Sequence, residues 1–144
     1  MRPGFNEWAL ELALAVSNRS RDPSTKVGAV IIRPDKTIAS IGYNGFPRNM
    51  EDKEEWWNNK EEKYARVIHA EMNALLNSKE SVKGMTIFCS HPCCQECAKH
   101  IIAAGISTVV VRTNEEINKR WNTQKSEELF QDSGVELIKI SMDQ

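Results

Sequence analysis

Long apolar runs are missing from this chain. No stretch approaches the ~20 consecutive apolar residues of a membrane helix, and Met1-Arg2-Pro3-Gly4-Phe5 has neither the apolar core nor the small-residue cleavage site of a secretory signal. A cytoplasmic protein is the expectation. Net charge is nearly missing too. Nineteen Lys and Arg against twenty Asp and Glu leave −1, so no overall basic field draws in a nucleic-acid backbone. Neither a membrane nor a nucleic acid is expected as a partner, whereas a small anion needs only a few local cations. No internal repeat or low-complexity segment is visible. A composition of 40% hydrophobic and 27% charged residues excludes disorder, collagen and coiled coil. At 144 residues the chain fits one domain, 1–144, with a full core. In a reducing cytosol its four cysteines read as metal ligands or core residues and not as disulfides.

What is present begins with one helical face. Phe5, Trp8, Ala9, Leu12, Ala13 and Val16 recur at three- and four-residue steps, and the helix should fade by Arg21 ahead of Asp22-Pro23-Ser24. Val27–Ile32 and Thr37–Tyr43 read as strands of an antiparallel hairpin across the Pro34-Asp35-Lys36 turn. Residues 48–63, crowded with charge, read as a surface loop with one short helix, and Trp56 and Trp57 as its anchors. Val67–Asn77, Cys94–Ala104 and Asn114–Ser133 are predicted helices. Met85–Cys89, Thr108–Arg112 and Val135–Ile140 are predicted strands. Strand and helix alternate with short connections, which implies parallel neighbours with helices against the sheet.

The chemistry sits in two short clusters. His69-Ala70-Glu71 lies 25 positions before Cys94-Gln95-Glu96-Cys97 when counted from histidine to first cysteine. Two cysteines separated by two residues at a helix start can face one metal ion, where backbone N–H groups and the helix dipole favour thiolates. One imidazole completes three protein ligands and leaves a tetrahedral zinc with an open position, the mark of a catalytic site. Such a zinc lowers the pKa of its water from ~15.7 toward ~7. Glu71, two residues from the ligand histidine, is placed to accept that proton and pass it on. Each piece has a plainer reading: a capping histidine, a solvated glutamate, or a thioredoxin-like redox pair. Together, at predicted junctions before helices, they favour zinc.

These residues match the His-x-Glu and Cys-x-x-Cys signature of zinc-dependent nucleobase deaminases. The chain resembles the cytidine and deoxycytidylate deaminase superfamily from Arg21 to about Ile140. Three stretches carry the likeness: Asp22-Pro23-Ser24-Thr25-Lys26-Val27-Gly28-Ala29-Val30, Gly42-Tyr43-Asn44-Gly45-Phe46-Pro47, and His69-Ala70-Glu71-Met72-Asn73-Ala74. The first two point to the deoxycytidylate (dCMP) branch. One departure is plain: Cys93 stands where the family usually has proline before the first ligand cysteine, and Pro92 sits one place earlier. Only Cys94 and Cys97 have the two-residue spacing, which leaves Cys93 as a small buried residue or a spare thiol and Cys89 as a core residue.

The resemblance implies an α/β fold: three α/β/α layers, with a central mixed five-stranded sheet and helices on both faces. It implies hydrolysis of dCMP to dUMP and ammonia, which supplies dUMP for thymidylate synthesis. Asn44 would contact the sugar, the backbone of Ala70 the base carbonyl, and the carbonyl near Ser90 and His91 the exocyclic amine. Arg21, Ser24 and Lys26 are the candidates for the 5′-phosphate, with Arg112, Arg120 and a stacking Trp121 behind them. The resemblance also implies a hexamer with regulatory nucleotides, dCTP activating and dTTP inhibiting with Mg²⁺, around Gly42, Tyr43, Asn44, Gly45 and Arg48. The rival readings are a tRNA adenosine deaminase or other nucleobase deaminase, and a non-catalytic zinc module that binds a nucleotide.

Overall fold

The computed structural model describes residues 1–143. Its first helix, α1 (Phe5–Ser17), packs Ala9, Leu10 and Ala13 against a sheet. The hairpin follows as β1 (Gly28–Ile32) and β2 (Ile38–Tyr43), antiparallel, with Gly28 opposite Tyr43 and a register shift at Ile31/Ile32. Then come α2 (Glu54–Trp57), α3 (Lys60–Arg66) and α4 (Ala70–Asn77). The rest alternates: β3 (Thr86–Cys89), α5 (Gln95–Ala103), β4 (Thr108–Thr113), α6 (Glu115–Arg120), α7 (Gln124–Ser133) and β5 (Glu136–Ser141).

The sheet order is β2-β1-β3-β4-β5. The last three strands run parallel, and β1 is antiparallel to both its neighbours, so the sheet is mixed as expected. Alternation of side chains decides its two faces. Val30, Ile32, Phe88 and Val110 meet α1 on one side. Ala29, Ile31, Ile87, Cys89, Val109 and Val111 meet residues of α4, α5 and α7 on the other. Every residue of β1 is buried because both faces are covered.

Two glycines set the layer spacing. A Cβ on Gly28 would lie 2.0 Å from the carbonyl oxygen of Ala13, and one on Gly42 would lie 2.3 Å from the backbone nitrogen of Ala74. Helix backbones therefore approach β1 and β2 more closely than any side chain permits.

Two expectations need correction. Residues 48–63 hold more than one short helix. The Asn59 side chain accepts from the backbone N–H of Glu62 at 3.1 Å and caps α3, an Asn-x-x-Glu start signal inside what reads as loop. Trp57, by contrast, is the anchor expected: it is buried, stacks on Phe46 at 4.0 Å and donates from Nε1 to Asp52. The single helix expected over Asn114–Ser133 is two, because extended backbone at Trp121 ends α6 and the Asn122 side chain accepts from the N–H of Gln124. That break leaves Trp121 in the connection between α6 and α7, beyond the C-terminal end of β4.

Candidate active site

The histidine and the two cysteines meet through two helix N-termini. Residue 68 is pinned in extended form by paired backbone hydrogen bonds with Gly45, 2.8 and 3.1 Å. The chain turns helical only at Ala70, with His69 as the extended residue before it. The helix therefore starts three residues later than spacing alone suggests, and His69, Ala70 and Glu71 project from its first turn. Cys94 is likewise the extended residue before α5, and its sulfur caps that helix by accepting the N–H of Cys97 at 3.4 Å.

His69 Nδ1 lies 3.3 Å from Cys97 Sγ and 3.5 Å from Cys94 Sγ. A tetrahedral zinc, with bonds of about 2.3 Å to sulfur and about 2.0–2.1 Å to nitrogen, holds such atoms about 3.5 Å apart. Both histidine–sulfur distances match that spacing, and all three donors lie within 4.8 Å of one another. Their electrostatics agree. The Cys94 thiol is pulled down to about 3 by hydrogen bonding from Cys97, outweighing partial burial, with help from His69. Cys97 is pushed up by that same bond and by burial, so within the pair one sulfur is a thiolate and the other keeps its proton. To hold a dication, Cys97 would give up its proton as well.

Glu71 stands beside this set, 4% exposed. Burial pushes its carboxyl above the usual range, opposed by its own backbone N–H and by His69. A carboxylate so placed takes up a proton readily, as a shuttle must.

His69, Glu71 and Cys94 line a cleft of about 280 Å³ whose walls include Asn44, Ala70, His91 and Trp121. Trp121 lies against the His91 ring, centroids 5.0 Å apart. His91 is pushed down to about 4 by burial and by Arg112 and Arg120, so it is neutral at pH 7. Asn44 spends its side chain on the neighbouring loop. Nδ2 donates to Asp22 and to the Thr25 carbonyl, and Oδ1 accepts from the N–H of Val27.

The loop expected to hold phosphate presents other residues. Asp22, Thr25 and Val27 line the cleft, whereas Arg21, Ser24 and Lys26 are exposed outside its lining. Asp22 folds the loop over, its carboxylate accepting from the N–H of Ser24 at 2.8 Å. Ser90 is buried behind the cleft. Its carbonyl accepts from Arg112 Nε at 3.0 Å, and its hydroxyl accepts from the Gly28 N–H. Arg112 is buried and also holds the Met142 carbonyl, which makes it a tie across the strand ends and not a free cation.

Sequence reasoning missed Lys63, Tyr64 and Val67 as cleft residues: Lys63 ends the segment read as loop, Tyr64 follows it, and Val67 opens the predicted helix. Lys63 Nζ reaches Asp22 at 2.8 Å. Arg120 ends α6 at the same rim, where it donates to Thr25 Oγ1 at 3.2 Å. A second cavity, of about 300 Å³, has Tyr43, Gly45 and Arg48 in its walls. Gly42 lies against the α4 backbone and Asn44 faces the catalytic cleft, so neither lines that cavity.

Comparison with known proteins agrees with this geometry. The sequence is 37% identical to a deaminase encoded in the luxG 3′ region of Aliivibrio fischeri, covering 96% of this chain and 97% of that one. It is 36% identical to the deoxycytidylate deaminase of Mus musculus, covering 97% and 83%. The fold superposes on the dCMP deaminase of the cyanophage S-TIM5 in complex with dCMP and dUMP, with TM-score 0.76, 31% identity, and 97% and 99% coverage. Residues 4–113 match the family described as "Cytidine and deoxycytidylate deaminase zinc-binding region", and the chain belongs to that family.

Proposed function

We propose that this protein hydrolyses dCMP to dUMP and ammonia, and that His69, Cys94 and Cys97 hold its zinc while Glu71 carries the protons. The observation that carries the reading is one buried carboxylate beside a three-donor set, in a cleft of about 280 Å³ that also offers Asn44 and Trp121. Zinc bound by these donors acts as the Lewis acid that makes water a nucleophile at neutral pH. Glu71 takes the proton from the water that adds to carbon 4 of the base and delivers it to ring nitrogen 3. A second transfer through the same carboxyl protonates the exocyclic amine, which leaves as ammonia when the carbon–nitrogen bond breaks. The backbone N–H of Ala70, at the first helical position, reads the base carbonyl. Trp121 closes over the ring.

The same reading assigns the 5′-phosphate to the rim formed by Thr25, Lys63 and Arg120. Of these, Arg120 is exposed at the rim, where it donates to the Thr25 hydroxyl, lies 3.6 Å from Glu116 and sits over the Trp121 ring. An arriving phosphate breaks no hydrogen bond to a charged partner there. Replacing Arg120 with alanine is expected to raise KM for dCMP about tenfold or more, the scale of one charge-assisted hydrogen bond. Turnover of deoxycytidine, which has no phosphate, should stay within twofold of the parent. Equal losses on both substrates would move the phosphate elsewhere.

The decisive assay follows ultraviolet loss of the amino group with dCMP, cytidine and a tRNA stem-loop in parallel. Only dCMP should be turned over efficiently, and preference for the stem-loop would overturn the reading. Regulation belongs to the same proposal. The second cavity, with Arg48 at its wall and Asn73 and Asn77 beside it, suits a regulatory dCTP or dTTP with Mg²⁺. Leu76, 66% exposed at that cavity, and Ile41, 46% exposed on the edge strand, favour a contact between subunits of an oligomer. With dCMP below its KM, dCTP should raise the rate and dTTP lower it. Flat responses to both would remove the regulatory site.

A further inference from the structure

His91 is a wall of the catalytic cleft that neither the metal donors nor the proton carrier use. Its neighbour Ser90 is fully buried, and the serine hydroxyl lies 2.9 Å from His91 Nδ1. The same hydroxyl oxygen accepts the N–H of Gly28 at 2.9 Å. Shut off from solvent, the serine proton needs an acceptor, and among the described residues His91 Nδ1 is the one at hydrogen-bond distance. Nδ1 therefore accepts from Ser90. An imidazole that accepts at Nδ1 is neutral and carries its proton on Nε2.

That second nitrogen is free. Nε2 has no hydrogen-bond partner among the described residues, and no buried side-chain nitrogen or oxygen there lacks one. The Nε2–H donor is therefore accessible, and the cleft is the cavity that His91 lines. What it can meet follows from the acceptors of a nucleotide. The Ala70 N–H takes the base carbonyl and Glu71 serves ring nitrogen 3, while the exocyclic amine is itself a donor. The 5′-phosphate is the strongest acceptor left, and a hydrogen bond to it is charge-assisted. Position agrees. The Trp121 ring centre lies 5.0 Å from that of His91 and 4.9 Å from Arg120 Cζ. His91 thus stands one indole away from the rim where Arg120 donates to Thr25.

We infer that His91 is a further phosphate-binding residue: Ser90 holds it as the Nε2–H tautomer, and that N–H donates to the 5′-phosphate of the bound nucleotide. This role rests on the reading of the cleft as the dCMP site. Beside Arg120, a neutral donor adds a directed contact without the repulsion of a second cation.

Two variants and one spectrum test it. His91→Phe keeps a ring against Trp121 and removes the donor, whereas His91→Gln keeps an N–H of similar reach. In the phenylalanine variant, kcat/KM for dCMP relative to that for deoxycytidine should fall about tenfold, the scale of one hydrogen bond to a charged group. The fall should lie in KM, and glutamine should recover most of it. Nitrogen NMR spectra of the zinc-loaded parent, which need no variant to fold, should show His91 protonated on Nε2 and not on Nδ1. At saturation the product dUMP should shift the Nε2 resonance well beyond what deoxyuridine, without a phosphate, produces. An unchanged substrate ratio in His91→Phe, equal losses in the phenylalanine and glutamine variants, a proton on Nδ1, or equal shifts from dUMP and deoxyuridine would each overturn the inference. If the zinc-loaded parent does not deaminate dCMP, the reading of the cleft itself fails. If the parent is active and His91→Phe keeps the parental ratio, only the role of His91 fails.

Discussion

Glu71→Ala should bind its zinc and have almost no activity. The carboxylate handles the proton at two stages, and general acid–base catalysis contributes ~10²–10⁴-fold at a single site. Loss of about a thousandfold or more in kcat is therefore expected. The metal should remain, because Glu71 is not among the three donors that converge at 3.3–3.5 Å from His69 Nδ1. Removing a carboxylate that burial already disfavours should leave thermal stability near the parent's, or raise it. Metal analysis, kcat and melting temperature measured on one preparation separate the possibilities. A zinc-loaded variant with substantial turnover would end the assignment, and a zinc-free one would mean that Glu71 holds metal.

Cys97→Ala should lose the metal, the activity and much of the stability together. Cys97 is 1% exposed, sits in the main core with Ala98 and Ile101, and is one of only three donors. With two donors left, zinc content should fall below about a tenth of an equivalent and turnover to background. Bound metal also stabilises the folded state by mass action, ~4 kcal/mol at a thousandfold excess over Kd. The melting temperature should drop well beyond what a small side-chain deletion produces. A strong chelator applied to the parent protein should reproduce the loss, and added zinc should reverse it in the parent but not in the variant. Cys93→Ala is the control, since it should keep its zinc. The reverse pattern, metal lost with Cys93 and kept without Cys97, would exchange the roles of the two cysteines.

Much of this was legible in the sequence because local signals and the fold agree. Period-two and period-3.6 patterns identify all five strands and α1, α4 and α5 to within a few residues, since each buries one face against a layer that demands it. Where signals failed, they were short. The Asn59-x-x-Glu62 cap of α3 is four residues inside a charged stretch, and the Asn122 turn is hidden in twenty residues of helix-compatible sequence. The site divides the same way. His69, Glu71, Cys94 and Cys97 are marked by spacing, because a metal needs donors at helix starts in a narrow range of separations. Lys63, Thr25 and Arg120 carry no such mark. They share a rim only because α3 and the end of α6 both fold over the Asp22 loop.

The sequence by itself pointed to a mixed α/β architecture and to His69, Glu71, Cys94 and Cys97 as the candidate site, because periodicity and ligand spacing are local properties of the chain. Only the tertiary structure decided what each cysteine meets: His69 for Cys94 and Cys97, Glu71 and one another for Cys89 and Cys93. Cys93 and Cys94 are adjacent in the chain, yet only Cys94 caps α5. Cys94, extended and capping α5, meets His69, while Cys93 lies inward beside Cys89 and Glu71. Neighbours one residue apart point in opposite directions in extended backbone, and what each then meets is set by elements far away in the sequence.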